Sequence, residues 1–143
     1  MATIVEDYIS FEVAKLLKEK GFNISNISLG IKNWICCMYD ENGNIHWGIY
    51  DKNWYFRITH QMARKWLRKM HNIFISINLT LTEEPDEYPP MYYVYIHNTK
   101  TGKSLITYNE ANLVVDENRQ PRCFAEPEEA VEIALKYVLE NLI

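Results

Sequence analysis

The chain has 143 residues, the usual length of one domain, and 48% of them are hydrophobic, so it can fill a core without disulfides or metals. Charged residues make up 24% of the sequence, which argues against a disordered chain. The formal net charge of −4 argues against a general polyanion binder, because nonspecific nucleic-acid affinity depends on Lys and Arg neutralising phosphates, although a local basic patch stays compatible with it. We therefore expect a single domain over residues 1–143.

The N-terminal segment Met1–Asp7 has neither a basic n-region nor a long apolar h-region, so no signal peptide is expected. No stretch approaches roughly 18 consecutive apolar residues, so no membrane-spanning helix is expected either. The three cysteines, Cys36, Cys37 and Cys123, are an odd number in a chain without an export signal and indicate reduced thiols. These features predict a cytoplasmic protein that makes no membrane contact.

The first predicted helix runs from about Phe11 to Lys20. Ser10 is a suitable N-cap, and Gly21 suits the position just after the helix. Apolar residues at helical spacing, including Ala14 and Leu17, predict the buried stripe.

The strongest turn signal in the chain is the pair Asn42-Gly43, which takes positive φ at little cost. It predicts a hairpin whose strands are Trp34–Tyr39 and Ile45–Tyr50. Trp54–Ile58 is compatible with a third short strand.

Thr59 is the predicted N-cap of a second helix that runs to about His71. Its apolar residues follow helical spacing and predict a buried stripe of Ala63, Trp66, Leu67 and Met70. The segment Ile73–Thr82 then alternates aliphatic and polar residues after Phe74, which predicts a half-buried strand with one solvated face.

The last part of the chain predicts a second group of strands and a final helix. Glu83–Pro90 is acidic and contains three prolines, so it is predicted to be a loop. Pro127 suits the first position of a helix that continues to the C-terminus. Between these segments the pattern predicts a strand at Met91–Asn98, a turn at Thr99–Gly102 and the hairpin partner at Lys103–Tyr108. A further short strand is predicted at Leu113–Val115.

The predicted order is helix, two or three strands, helix, three strands and helix. Connections as short as these suit antiparallel pairing better than parallel crossovers. We therefore predict an α+β fold in which one antiparallel sheet of about five or six strands carries three helices packed mainly on one face.

Several blocks of the sequence lie at the start, middle and end of the chain: Ser10–Phe22, Gln61–Lys69 with His71–Ile73, Glu128–Ala130 and Lys136–Ile143. Together these blocks resemble a group of small proteins encoded by phages and mobile elements of gut Bacteroidales. The resemblance implies a shared origin and fold, and no activity. The region around Trp34–Trp54 departs from the group.

The second helix carries a basic face opposite its apolar stripe. Four cations lie in this arc and are candidates for contacting phosphates or an acidic partner: Arg64, Lys65, Arg68 and Lys69. The competing interpretation is a solvated face near the acids of the last helix or of the loop Glu83–Glu87.

An aromatic strand face is the second candidate site. Alternation along Met91–His97 places Tyr93, Tyr95 and His97 on one face of the strand. Trp47 and Trp54 are candidates to extend this row. Such a surface can stack bases or anchor a protein partner, and an exposed aromatic face favours a homodimer. The competing interpretation is ordinary cross-strand packing.

Metal and enzyme sites are weakly supported by the sequence. The spacing of the four histidines and three cysteines matches no known metal motif, and Cys36 or Cys37 with His46 across the hairpin is the most plausible pair. The common motifs for nucleophiles, phosphate loops and zinc proteases are absent. We predict no cofactor, and an enzyme would need a Cys–His or His–carboxylate cluster that assembles only in space.

The leading functional hypothesis is a non-enzymatic interaction protein of a phage or mobile element that binds a protein partner. A host-modulating or anti-defence role fits the resemblance. The alternatives are nucleic-acid or nucleotide binding through the basic helix and the tyrosines, and a small enzyme with a spatially assembled site.

Overall fold

The computed structural model describes residues 7–27, 35–80, 83, 86–87, 89–105 and 123–143. These ranges contain three α-helices, five strands and a short 3₁₀ helix at Ile24–Asn26. In chain order the helices and strands are α1 (Phe11–Glu19), β1 (Ile35–Tyr39), β2 (Ile45–Ile49), β3 (Tyr55–Phe56), α2 (His60–His71), β4 (Ile73–Leu79), β5 (Tyr92–Asn98) and α3 (Pro127–Asn141).

The ends of α1 form as the sequence predicts. The Ser10 hydroxyl accepts the Val13 backbone N–H at 3.2 Å, which supplies one of the partners that a helix N-terminus lacks. Just after the helix, Gly21 takes φ of +99°. Val13, Ala14 and Leu17 are buried, so the predicted apolar stripe faces the core.

The predicted hairpin is confirmed as β1 and β2, and β3 pairs with the other side of β1. The three strands form an antiparallel sheet in the order β2-β1-β3. One carboxylate oxygen of Asp40 accepts the backbone N–H groups of Asn42 and Asn44, each at 2.9 Å, and this fixes the turn that joins β1 to β2. Because β1 is the central strand of this order, β2 is an edge strand.

The helix α2 leads directly into β4. Thr59 caps the helix by accepting the Met62 N–H at 3.1 Å, and Asn72 in the left-handed region ends it. Of the stripe predicted to be buried, Met70 is exposed, and His60 in the first turn is buried. β4 and β5 pair antiparallel over seven residues each.

The prediction of one sheet with five or six strands is wrong for the described residues, which form a three-stranded and a two-stranded sheet. The backbone beyond β3 is already occupied by the N-terminal segment. The Ile9 N–H donates to the Ile58 carbonyl at 3.0 Å, and the His60 N–H donates to the Asp7 carbonyl at 2.9 Å. The N-terminal segment, and not β4, therefore pairs with the chain just after β3.

The outer side of β5 is also partly occupied. Isolated antiparallel bridges join Tyr92 to Phe124 and His97 to Ser104. The second of these bridges begins the predicted hairpin after the turn at Gly102, whose φ is +71°.

The helices do not all pack on one face of one sheet. α3 contacts both strands of the second sheet and also α1 and α2, whereas α1 contacts β3 and α2 contacts β4. Pro127 opens α3 as predicted. One cluster of buried apolar side chains draws on all three helices and on both sheets.

Some predicted elements lie outside the described residues, namely Trp34 at the start of the first strand, the end of the Lys103–Tyr108 strand and the strand at Leu113–Val115. Across the described ranges, none of the helices has the length and apolar character needed to cross a membrane.

Candidate functional site

The edge strand β2 exposes an unusual amount of apolar surface. Ile45 is 52% exposed, Trp47 67% and Ile49 82%, and these side chains share one face of the strand. Ile35 on β1, which lies opposite Ile49 in the register, is 58% exposed. We call these four residues the β2 patch.

The outer backbone of β2 is unpaired as well. The bond from the Asp40 N–H to the Asn44 carbonyl, together with the register, makes Met38–His46 and Cys36–Gly48 the hydrogen-bonded pairs of β1 and β2. The N–H and C=O groups of Ile45, Trp47 and Ile49 therefore point away from β1. Within the described ranges these groups have no hydrogen-bond partner.

Beyond Ile35 the neighbouring strand β1 is buried on both faces, so most of the exposed surface lies on the edge strand. Cys36 and Met38 belong to the core cluster. On the other face, a guanidinium nitrogen of Arg57 lies 3.5 Å from the Cys37 sulfur, and the Tyr39 ring packs 5.6 Å from the ring of Phe11.

His46 anchors the inner side of β2. Its Nε2 lies 2.7 Å from a carboxylate oxygen of Asp40, and its ring stacks on Trp54 at 4.6 Å. The hydrogen bond with His46, followed by those from the Asn44 and Asn42 backbone, holds the pKa of Asp40 at about 2 against a burial effect of opposite sign. The turn and the inner face of β2 are thus fixed, whereas the outer edge has no partner.

The predicted aromatic row is present on β5. The rings of Tyr93 and Tyr95 lie 5.4 Å apart and those of Tyr95 and His97 lie 5.7 Å apart. Tyr95 is exposed, while Tyr93 and His97 are half-buried. Trp47 and Trp54 do not extend the row, because they belong to the first sheet and its connections.

The basic face of α2 divides into two parts. Gln61, Arg64, Lys65 and Arg68 line a groove of about 420 Å³ together with Phe74 and Ile75 of β4, which we call the α2–β4 groove. Lys69 instead lines a second groove beside Phe22 and Trp66. The four cations make no ion pair within the described part of the chain.

Arg64 has a structural contact inside the α2–β4 groove. Its guanidinium donates a 2.6 Å hydrogen bond to the backbone carbonyl of Ile75, and burial lowers the pKa of Arg64. Phe74 is 41% exposed and lies opposite His97 in the β4–β5 register. The groove and the aromatic row therefore meet at Phe74.

A histidine–carboxylate pair lies where α1, α2 and α3 meet. The His60 Nε2 is 2.9 Å from a carboxylate oxygen of Glu132, which also accepts the Ser10 backbone N–H at 2.8 Å. Burial alone would raise the pKa of Glu132, but these hydrogen bonds lower it. The Ser10 hydroxyl, which also bonds Glu132, accepts the Val13 N–H and caps α1, so the pair joins three helices.

The cysteines do not build the metal site considered from the sequence. His46 bonds Asp40 and lies opposite Met38, not opposite a cysteine. Burial, followed by the neighbouring Cys37, raises the pKa of Cys36 and disfavours its thiolate. In the described ranges no group of three His, Cys, Asp or Glu side chains is placed to hold a metal ion.

No family model, curated protein or solved structure is detectably similar to this chain. The candidate sites therefore rest on the geometry alone.

Sequence reasoning selected Trp47 but missed the three isoleucines beside it. The signal was present: Ile45, Trp47 and Ile49 occupy alternate positions of a predicted strand and so share one face. Their exposure depended on which strands pair with β2, and the local pattern does not encode that.

Proposed function

We propose that this protein acts by binding another protein chain and that the β2 patch is its binding surface. One observation carries this proposal: Ile45, Trp47 and Ile49 present exposed apolar side chains and unpaired backbone groups at the same edge.

An exposed strand edge is a template for an added strand. The backbone groups of the edge supply affinity, and alternate side chains supply specificity. Proteins usually block such an edge with lysine, proline or a bulge, and β2 carries none of these between Asn44 and Tyr50. Tryptophan is among the residues that contribute most to binding at the centre of an interface, which is the position of Trp47.

This proposal keeps the non-enzymatic interaction protein that the sequence favoured. A host-modulating or anti-defence role in the cytoplasm belongs to the same proposal, and the sequence resemblance supports it. Such a role requires a protein-binding surface, and we assign it to the β2 patch.

The experiment compares protein capture by immobilised wild type with capture by Trp47→Glu and Tyr95→Glu after nuclease treatment. Tyr95 lies on the other sheet and is also exposed, so it is a matched control. We expect Trp47→Glu to abolish capture and Tyr95→Glu to retain it, with both variants folded by circular dichroism. Equal capture by Trp47→Glu and wild type contradicts the proposal.

A second candidate function is favoured by the contact between the aromatic row and the α2–β4 groove. Cations that make no ion pair lie next to exposed aromatic rings. This combination suits a single-stranded nucleic acid, because cations contact its phosphates and aromatic rings stack on its bases. Lys65 and Arg68 would contact phosphates, while Arg64 keeps its bond to Ile75.

This candidate is tested with a labelled single-stranded oligonucleotide. Lys65→Glu combined with Arg68→Glu should abolish binding, and affinity should fall steeply with salt. Lys100→Glu combined with Lys103→Glu makes the same change of charge in the exposed turn after β5 and should bind nearly as wild type. Binding that changes neither with salt nor with the Lys65→Glu and Arg68→Glu pair excludes this function.

A further inference from the structure

We propose that the occupant of the β2 edge is a second copy of this chain, joined antiparallel across a two-fold axis at Trp47. This inference rests on the proposed function, since it names the partner of the same surface. The three-stranded sheets of the two copies would then form one continuous sheet of six strands in the order β3-β1-β2-β2-β1-β3.

The backbone register supports a symmetric pair. Only Ile45, Trp47 and Ile49 direct their N–H and C=O groups outward from β2. In an antiparallel dimer centred on Trp47, each Trp47 lies opposite its copy and each Ile45 lies opposite Ile49 of the other copy. All three pairs are then hydrogen-bonded pairs, so every outward backbone group finds a partner.

The side chains are also self-complementary. The order Ile, Trp, Ile is the same in both directions, so the two-fold axis brings isoleucine to isoleucine and tryptophan to tryptophan. On the other face, His46 lies opposite Gly48 of the second copy. A Cβ added to Gly48 would have no atom within 4 Å, so this position is open and no bulky side chain opposes the histidine. A two-fold interface requires this kind of self-matching.

Charge favours this edge as the meeting place of two copies. Each chain carries a formal net charge of −4, so two copies repel each other over most approaches. From Ile45 to Ile49 the strand has no Asp, Glu, Lys or Arg. The strand itself therefore adds no charge repulsion when two copies meet along it.

The size of the surface predicts a weak dimer. A five-residue strand is about 17 Å long, and with the β2 patch it covers less than the ~800 Å² per partner of a standard interface. Interfaces at this low end are transient, and we expect a dissociation constant of about 1–100 µM.

Sedimentation velocity of the full chain between about 0.5 and 500 µM tests the inference, because this range brackets the expected constant. The variant Ile45→Lys with Ile49→Glu places opposite charges across the axis, whereas Ile45→Lys with Ile49→Lys places like charges there. Both variants change the same exposed positions. We expect wild type to dimerise with concentration, and the Lys/Glu variant to dimerise at least about tenfold more tightly than the Lys/Lys variant.

Two results overturn the inference. Either wild type stays monomeric over the whole range, or both double variants dimerise as tightly as wild type. A monomer whose capture of another protein still depends on Trp47 assigns the edge to a foreign strand and leaves the proposed function standing. If Trp47→Glu still dimerises and still captures protein, the proposed function itself is wrong.

Discussion

Arg64 on α2 donates a 2.6 Å hydrogen bond from its guanidinium to the backbone carbonyl of Ile75 on β4. That carbonyl points away from β5, because the hydrogen-bonded pairs of the two strands fall on the even residues of β4. Arg64 therefore occupies part of the β4 edge. The two sheet edges differ in this respect, since the outward groups of β2 have no such partner in the described ranges.

Replacing Arg64 should destabilise the fold, and replacing Arg68 should not. Arg64→Ala removes a charged donor from a half-buried carbonyl and should lower the free energy of unfolding by about 1–3 kcal/mol. Arg68 is exposed on the same helix, so Arg68→Ala should change the free energy of unfolding by no more than about 0.5 kcal/mol. Urea unfolding followed by circular dichroism measures both, and equal losses would contradict a structural role for Arg64.

Asp40 should make stability depend on pH in the acid range. Its pKa is about 2 in the folded chain against an ordinary 3.8, so the stabilisation is complete above about pH 4 and is lost as the pH falls through about 2. Asp40→Asn should remove this part of the pH dependence.

His46→Gln supplies the control for Asp40. It removes the largest cause of the lowered pKa of Asp40 while the turn keeps its backbone hydrogen bonds, so the loss of stability on acidification should be smaller and should end at a higher pH than in wild type. Urea unfolding between about pH 5 and 2 covers the window between the two pKa values. If the free energy of unfolding falls with decreasing pH in the same way in wild type, Asp40→Asn and His46→Gln, the Asp40–His46 contact contributes nothing to stability.

Gly43 should tolerate alanine less well than Gly102. Both take positive φ, at +83° and +71°, so both substitutions carry the backbone strain of about 1–2 kcal/mol. A Cβ on Gly43 would also lie 3.0 Å from a ring carbon of Phe11, whereas one on Gly102 meets nothing within 4 Å. Gly43→Ala should therefore lower the thermal midpoint further than Gly102→Ala, and the reverse order would show that the hairpin does not pack on Phe11.

The sequence predicted local structure well because its signals are local. Ser10, Thr59 and Pro127 mark helix starts, and the Asn42-Gly43 pair marks the hairpin, since each acts through groups a few residues away. Strand partners are set by distant contacts. Ile58 and His60 bond to the distant segment Asp7–Ile9, and nothing in the local pattern predicts these contacts.

The candidate sites show the same limit. The tyrosine row on β5 was predictable because alternation alone orders it. The role of Arg64 was not, because a helical wheel shows which side a residue occupies but not that a strand carbonyl lies within reach. The free edge of β2 likewise became visible only when β1 proved to be the central strand.

The most direct test of β2 as a binding edge is amide hydrogen exchange, resolved by residue with NMR, as protein concentration rises or captured protein is added. His46 and Gly48 donate to β1 and should exchange slowly throughout. The amides of Ile45, Trp47 and Ile49 should exchange fast in the dilute chain and slow markedly when the edge is occupied. Fast exchange at these three amides under every condition would contradict the assignment of β2 as the binding surface.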